Sequence, residues 1–226
     1  MNSYNRKEQS SVDIEKEIME IREDVGRMSS IVEKMLHQIL ESLRKRNLDL
    51  ALDVIQKDDL VDKLYWDIEN KCIKILSEYK PNSQNLRVIA STMKIIKDIE
   101  RIGDYSVDIA KFSSNLLKNF FELPWKDVFI LGELSEYMLK EITRIYLNSD
   151  LKAIENLALK YKEINQKYQD ILNNMMEHIQ KNPKITQQII QLIMISRYLE
   201  RISDHITNMI EIIYYMETGE KKELHG

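Results

Sequence analysis

Apolar residues recur at steps of three and four along almost the whole chain. Ile14, Ile18, Ile21, Val25, Met28, Val32, Met35, Ile39 and Leu43 form one such series, and it predicts a helix over about Ser11–Lys45, with Ser10 or Ser11 as its cap. A second helix is expected from Asn47 or Asp49 to about Tyr79. A third runs from Asn82 or Ser83 to about Asn115. After the aromatic stretch Asn119–Trp125 (NFFELPW) the pattern returns. A fourth helix is expected over Lys126–Asn148, a fifth from Asp150 to about Lys181, and a sixth from Ile185 to Glu217, ended by Gly219.

The prolines punctuate this pattern. Pro81, Pro124 and Pro183 are the chain's 3 prolines, and each falls between long periodic stretches. Proline inside a helix removes a hydrogen bond and clashes with the preceding turn, so these positions mark connections. Long helix, long helix, proline turn, long helix is then written twice. A helix of about 30 residues spans roughly 45 Å, and three with short links fold back antiparallel. The expected fold is all-α: a tandem repeat of two antiparallel three-helix bundles, residues 1–118 and 119–226.

Composition narrows the class. The 226 residues are 43% hydrophobic and 31% charged, a globular balance, and 5 Gly with 3 Pro are too few for a strand-and-turn protein. The net charge of −4 and the lack of a basic arm argue against nucleic acid as a partner. Cys72 is single, which excludes an internal disulfide or a paired-thiol site and makes a buried, inert thiol the reading. The N-terminus carries no apolar signal core. The longest uncharged apolar-rich run, Ile185–Ser196, is 12 residues against the roughly 20 a membrane span needs. A cytoplasmic, soluble protein with no membrane insertion is expected.

Against this background one phrase is written twice. Ile99–Asp104 reads IERIGD, and 100 residues later Leu199–Asp204 reads LERISD. At about 100° per residue, Glu100 falls at the margin of the apolar arc of its helix, with Asp104 and Asp108 following in one row towards solvent. Glu200, Asp204 and Asn208 repeat the row on the sixth helix. Stacked carboxylates repel, and partial burial adds desolvation, so something must compensate. One answer is salt bridging by Lys97, Arg101, Arg197 and Arg201, each three residues before an acid. The other is a metal ion held by hard oxygen ligands. Duplication on equivalent faces weighs toward the metal. Asp58, Asp59 and Asp62 on the second helix can join the first row, or form a solvated face. The corresponding segment of the second half carries Lys162 and Asn165.

Enzymatic readings find no support. A di-iron carboxylate oxidase needs Glu-x-x-His pairs. The residues three before His37, His178, His205 and His225 are Lys34, Met175, Ile202 and Lys222. No glycine-rich phosphate loop is present, which argues against an ATPase. His205 reads as a surface residue. Phe120, Phe121 and Trp125 read as packing at the junction between halves.

The motifs Lys94–Lys111 (KIIKDIERIGDYSVDIAK) and Ser196–Glu211 (SRYLERISDHITNMIE), with KDDLVDKLYWDIE on the second helix, resemble the PhoU family of phosphate-uptake regulators. The resemblance covers nearly the whole chain and implies two bundles side by side with pseudo-twofold symmetry. It implies metal sites at Glu100 with Asp104 and Glu200 with Asp204, with Asp59 and Asp62 at further acidic positions. Iron, zinc, manganese or magnesium are the implied ions. It implies a homodimer that links a phosphate ABC transporter, through its ATPase, to a sensor histidine kinase and restrains starvation signalling when phosphate is plentiful. Ser203 departs from the family's frequent glycine, and Lys162 and Asn165 leave the second site poorer in acids. The alternative is a purely structural helical interaction module without functional metal.

Overall fold

The computed structural model describes residues 3–117 and 123–224, with side chains described for 13–114, 116–117 and 123–224. Seven α-helices follow in order: α1 (Ser3–Lys45), α2 (Leu48–Gln56), α3 (Asp58–Glu78), α4 (Ser83–Leu117), α5 (Trp125–Asn148), α6 (Ile154–Lys181) and α7 (Thr186–Thr218). Six are long, and no strand occurs among the described residues. The expected domain boundary at 118/119 lies outside the described residues, as do Phe120 and Phe121. Trp125 is described: it stacks on Phe129 with centroids 5.5 Å apart.

The helix starts are set by local chemistry. Asn47 Oδ1 accepts from the backbone N–H groups of Asp49 and Leu50 at 3.0 and 3.4 Å, capping α2. Asn82 Oδ1 accepts from Asn85 N at 2.8 Å and caps α4. Gly219, at φ 79°, donates its N–H to Tyr215 O at 2.9 Å and ends α7 in the left-handed conformation that glycine tolerates.

Two expectations are corrected. α1 begins at Ser3, so Ser10 and Ser11 lie within it and do not cap it. The second helix of the first half is not continuous: it breaks at Lys57, which keeps right-handed angles (φ −78°, ψ −12°) but bonds back only to Val54 O, at 3.1 Å. The Lys57 ammonium holds Asp53 at 2.7 Å beside the break. The break makes Asp58 and Asp59 the first turn of α3, where acids favour the helix dipole. Asp150 stands where the fifth helix is expected to open. It pairs with Arg144 Nη1 at 2.8 Å, and a 3₁₀ turn, Leu151–Ala153, precedes α6.

α1, α3 and α4 pack as one three-helix bundle with α2 laid against α1 and α4, and α5, α6 and α7 pack as the other. The most extensive contact in the molecule joins them, α4 against α7, and α1 meets α5 beside it. The four inner helices therefore form a shared layer, with α2–α3 and α6 on the outside. At Gly132 of α5 a Cβ would lie 2.6 Å from Leu40 Cδ2 of α1, so the missing side chain allows this approach. Val25, Met28, Val32, Met35, Leu36 and Ile39 of α1 are all fully buried, which is the stripe the spacing predicts.

α4 and α7 run antiparallel across the seam. Asp98 meets His205, Nδ1···Oδ1 2.7 Å, and Tyr105 meets Tyr198 with ring centroids 5.6 Å apart. Tyr105 also lies against His205, at 5.6 Å. These contacts are reciprocal, because 98 and 198, and 105 and 205, are equivalent positions in the two repeats.

Candidate functional site

The two phrases occupy equivalent places. Residues 101–110 and 201–210 alternate between buried and accessible in the same order, position by position. Ile99, Ile102, Ile109, Leu199, Ile202 and Ile206 are fully buried. That anchors each helix against its bundle and holds the acids at the margin of the core. The Glu100 side chain is 15% exposed and that of Glu200 11%. The next acids open outward, Asp104 to 33% and Asp204 to 21%.

Both rows are paired with cations on their own helices. Lys97 Nζ donates to both Glu100 carboxylate oxygens, at 3.1 and 3.0 Å, and Arg101 Nη1 donates to Asp104 at 2.7 Å. Arg197 Nη1 donates to Glu200 at 2.6 Å, and Arg201 Nη1 to Asp204 at 3.2 Å. Asp108 is looser, 3.8 Å from Lys111 Nζ. Among the described residues, no three His, Cys, Asp or Glu side chains converge closely enough to hold a metal ion. The rows as placed are ion-paired and do not close a cage.

The neighbouring helix distinguishes the two rows. In the first repeat α3 brings Asp58 within the field of Asp104. The Asp58 carboxyl is pushed up from its ordinary value by burial first, then by the charges of Asp62 and Asp104, with Lys111 opposing. Carboxylates from two helices therefore face each other here with their repulsion incompletely neutralised. Asp59 and Asp62 are exposed, while Asp58 is half-buried. The donor set is hard oxygen, which fits a divalent cation in chemistry. A metal there competes with Lys97 and Arg101 for the same oxygens.

In the second repeat α6 presents no acid to the row. Tyr161 Oη donates to Asp204 Oδ1 at 3.0 Å, and the guanidinium of Arg197 lies over the Tyr168 ring at 5.8 Å. A cleft beside Glu200 is lined by Lys162, Asn165, Gln166 and Gln169. The Glu200 carboxyl is pushed up by burial and then by Asp204, against the pull of Arg197 and Arg201. These donors and cations fit a self-contained hydrogen-bond network, and the residues present do not fit a metal.

His205, read from the sequence as a surface residue, is instead packed into the seam, with a side chain 22% exposed that pairs with Asp98. Asn208, the third member of the second row, also turns there and donates to Asp98 Oδ1 at 3.4 Å. The signal for Asp98 was present: at about 100° per residue it falls on the margin of the apolar arc opposite Glu100. Tyr161 gave no such signal, because its partner lies on another helix.

Residues 25–113 and 129–213 each match the PhoU domain. A phosphate-specific transport system accessory protein PhoU homolog of Clostridium acetobutylicum is 30% identical over 212 residues, covering 93% of this chain and 97% of that protein. A PhoU homolog 1 of Thermotoga maritima is 30% identical over 233 residues, 95% and 94% of the two chains. The crystal structure of PhoU from Pseudomonas aeruginosa superposes with a TM-score of 0.88 at 25% identity, covering 91% of this chain and 99% of that one. The phosphate transport system regulatory protein PhoU from Streptococcus pneumoniae gives 0.85 at 25% identity, with 93% and 99% covered.

Proposed function

The chain belongs to the PhoU family, and we propose that it is an accessory, regulatory protein of a phosphate transport system, acting by contact with other proteins and not by turnover. The observation that carries this reading is the pairing of two PhoU domains with relatives matched over nearly their full length and named as transport accessory proteins. In this reading its partners are the ATPase of a phosphate ABC transporter and a sensor histidine kinase, it works as a homodimer in the cytoplasm, and it restrains uptake and starvation signalling when phosphate is plentiful. Among the described residues no helix is long and apolar enough to cross a membrane, which suits a protein that docks onto membrane-bound partners.

The test is genetic and direct. Deleting the gene should raise phosphate uptake and phosphate-repressed reporter expression in phosphate-rich medium, and the tagged protein should retain the transporter ATPase on a column. Uptake and reporter levels that stay at wild-type values after deletion would overturn the proposal.

A metal role is proposed for the first row alone, favoured by the charge of Asp104 acting on the half-buried Asp58 of the facing helix. Asp58 and Asp104, with Asp62 and Glu100 beside them, would have to draw together to hold a divalent ion, since no three of them meet as placed; the ion would supply charge neutralisation between α3 and α4. Elemental analysis of the purified chain checks this. Metal that copurifies with the wild type and is lost in Asp104→Asn is expected, and equal metal in both refutes it.

A further inference from the structure

The tail beyond α7 returns to the bundle. Leu224 packs against the core, and its backbone N–H donates to Glu211 Oε1 at 2.7 Å. Lys222 Nζ sits over the Tyr214 ring at 5.2 Å. Arg87 of α4 donates through Nε to Met216 O at 3.0 Å and lies against Gly219, steadying the turn from which the tail departs. Between the tail, α4 and α7 this leaves a cleft of about 370 Å³, room for a small ion and roughly ten waters at about 30 Å³ each.

The chemistry of the cleft is unlike that of the acidic rows. Ser91 on α4 lines it and is only 2% exposed. The hydroxyls of Ser106, Ser113 and Ser196 donate to carbonyls of their own helices, whereas that of Ser91 has no hydrogen-bond partner among the described residues. Among the described residues only Gln188 Oε1 is both fully buried and unpartnered, so the Ser91 oxygen still meets the solvent of the cleft, where a ligand oxygen can take its place. Lys94, Lys221 and Lys222 line the same cleft, and among the described residues none forms an ion pair. Two carboxylates, Glu211 and Glu223, also face it. Glu211 spends one oxygen on Leu224, and its other oxygen is left to accept.

Three ammonium groups, one hydroxyl and two acceptors are an unusual combination for an anion, and it selects among anions. We propose that this cleft binds free monohydrogen phosphate. The lysines and Ser91 donate to its bare oxygens, and Glu211 or Glu223 accepts from its P–OH group. Sulfate at neutral pH has no proton to donate, so the same carboxylates repel it. Because part of the cleft wall is the tail, a bound ion ties residues 221–224 to α4 and α7. The chain thereby gains a phosphate-dependent surface distinct from the acidic rows. This goes beyond the transport-accessory reading and does not depend on it or on any metal.

The experiment is calorimetric titration of the full chain with inorganic phosphate, in buffer containing chelator so that metal-bridged binding to the acidic rows is suppressed. One phosphate per chain is expected, with sulfate weaker by at least about tenfold. Lys94→Gln with Lys222→Gln should weaken phosphate by about tenfold or more, and Ser91→Ala by about a few-fold. Melting temperatures of the variants should match the wild type. No phosphate binding by a folded wild type, equal affinity for sulfate, or binding untouched by the lysine pair would each overturn the proposal. None of these results would alter the uptake phenotype that tests the transport role.

Discussion

Two rows of acids share a phrase, a burial pattern and a set of cations three residues upstream, yet they face different neighbours. Asp104 looks across to Asp58, and Glu100 to Tyr65. Glu200 and Asp204 look across to Tyr161, Lys162 and Asn165. Ion pairs within one helix are a local property and survive duplication unchanged. What makes one row a candidate for a ligand is the helix opposite, where the two halves have diverged. The third positions differ too. Asp108 points outward beside Lys111, while Asn208 is drawn into the seam by Asp98.

The largest test of the comparison lies underneath the rows. Ile102 and Ile202 are both fully buried at equivalent places. Replacing either by alanine should cost about 2–5 kcal/mol, and the two losses should agree closely in urea unfolding. A clear inequality would mean that the cores, and not only the acids, have diverged.

Next comes metal dependence. Saturating Mn²⁺ should raise the melting temperature of the wild type, by the equivalent of about 2.7 kcal/mol at a hundredfold excess over the dissociation constant. Asp104→Asn should abolish the rise and Asp204→Asn should leave it. A rise equally lost in both variants would make the rows alike after all.

A smaller effect separates them from the other side. Tyr161→Phe removes the hydroxyl that donates to Asp204 and should cost about 1–2 kcal/mol, since a bond to a charged group exceeds the neutral average. The loss should shrink in an Asp204→Ala background, a double-mutant cycle that reads the coupling directly.

The smallest effect is electrostatic. Asp58 titrates above its unfolded value of 3.8, so the native state holds that proton longer than the unfolded chain does. Stability therefore falls as pH rises from about 3.8 through the folded value. Asp58→Asn should relieve this and stabilise the metal-free protein at neutral pH by a few tenths of a kcal/mol, after allowing for solvent screening. Below pH 3.8 the gain should disappear. Destabilisation at neutral pH would show that Asp58 is favourably paired.

Much of the architecture was legible because it is written in local periodicity. The stripe from Ile14 to Leu43 and the caps at Asn47, Asn82 and Gly219 need only neighbours a few residues away. The acids at the core margin were legible for the same reason. The break at Lys57 was not, since neither glycine nor proline marks it and Lys57 keeps helical angles. Nor was the 3₁₀ turn between Asp150 and α6, or the pairing of Asp150 with Arg144. Tyr161 with Asp204, His205 with Asp98, and the tail cleft at Ser91 all join distant segments, and no spacing within one helix reports them. The change from Gly103 to Ser203 was visible but its meaning was not. A Cβ at Gly103 would meet Val61 at 3.5 Å, ordinary contact, so the two residues are nearly interchangeable there.

The reciprocal seam between α4 and α7 carries one last implication. Were the repeats identical, positions 98 and 198 would hold the same residue, as would 105 and 205. Every contact across the seam would then come in matched pairs, two Asp–His or two Tyr–Tyr. The chain has one of each. A heteromorphic seam of this kind is closed to two identical copies of one half, and open to repeats whose residues can drift apart. Two repeats in one polypeptide can thus become non-equivalent, and a seam matched between unlike halves favours each half's sibling over its own copy.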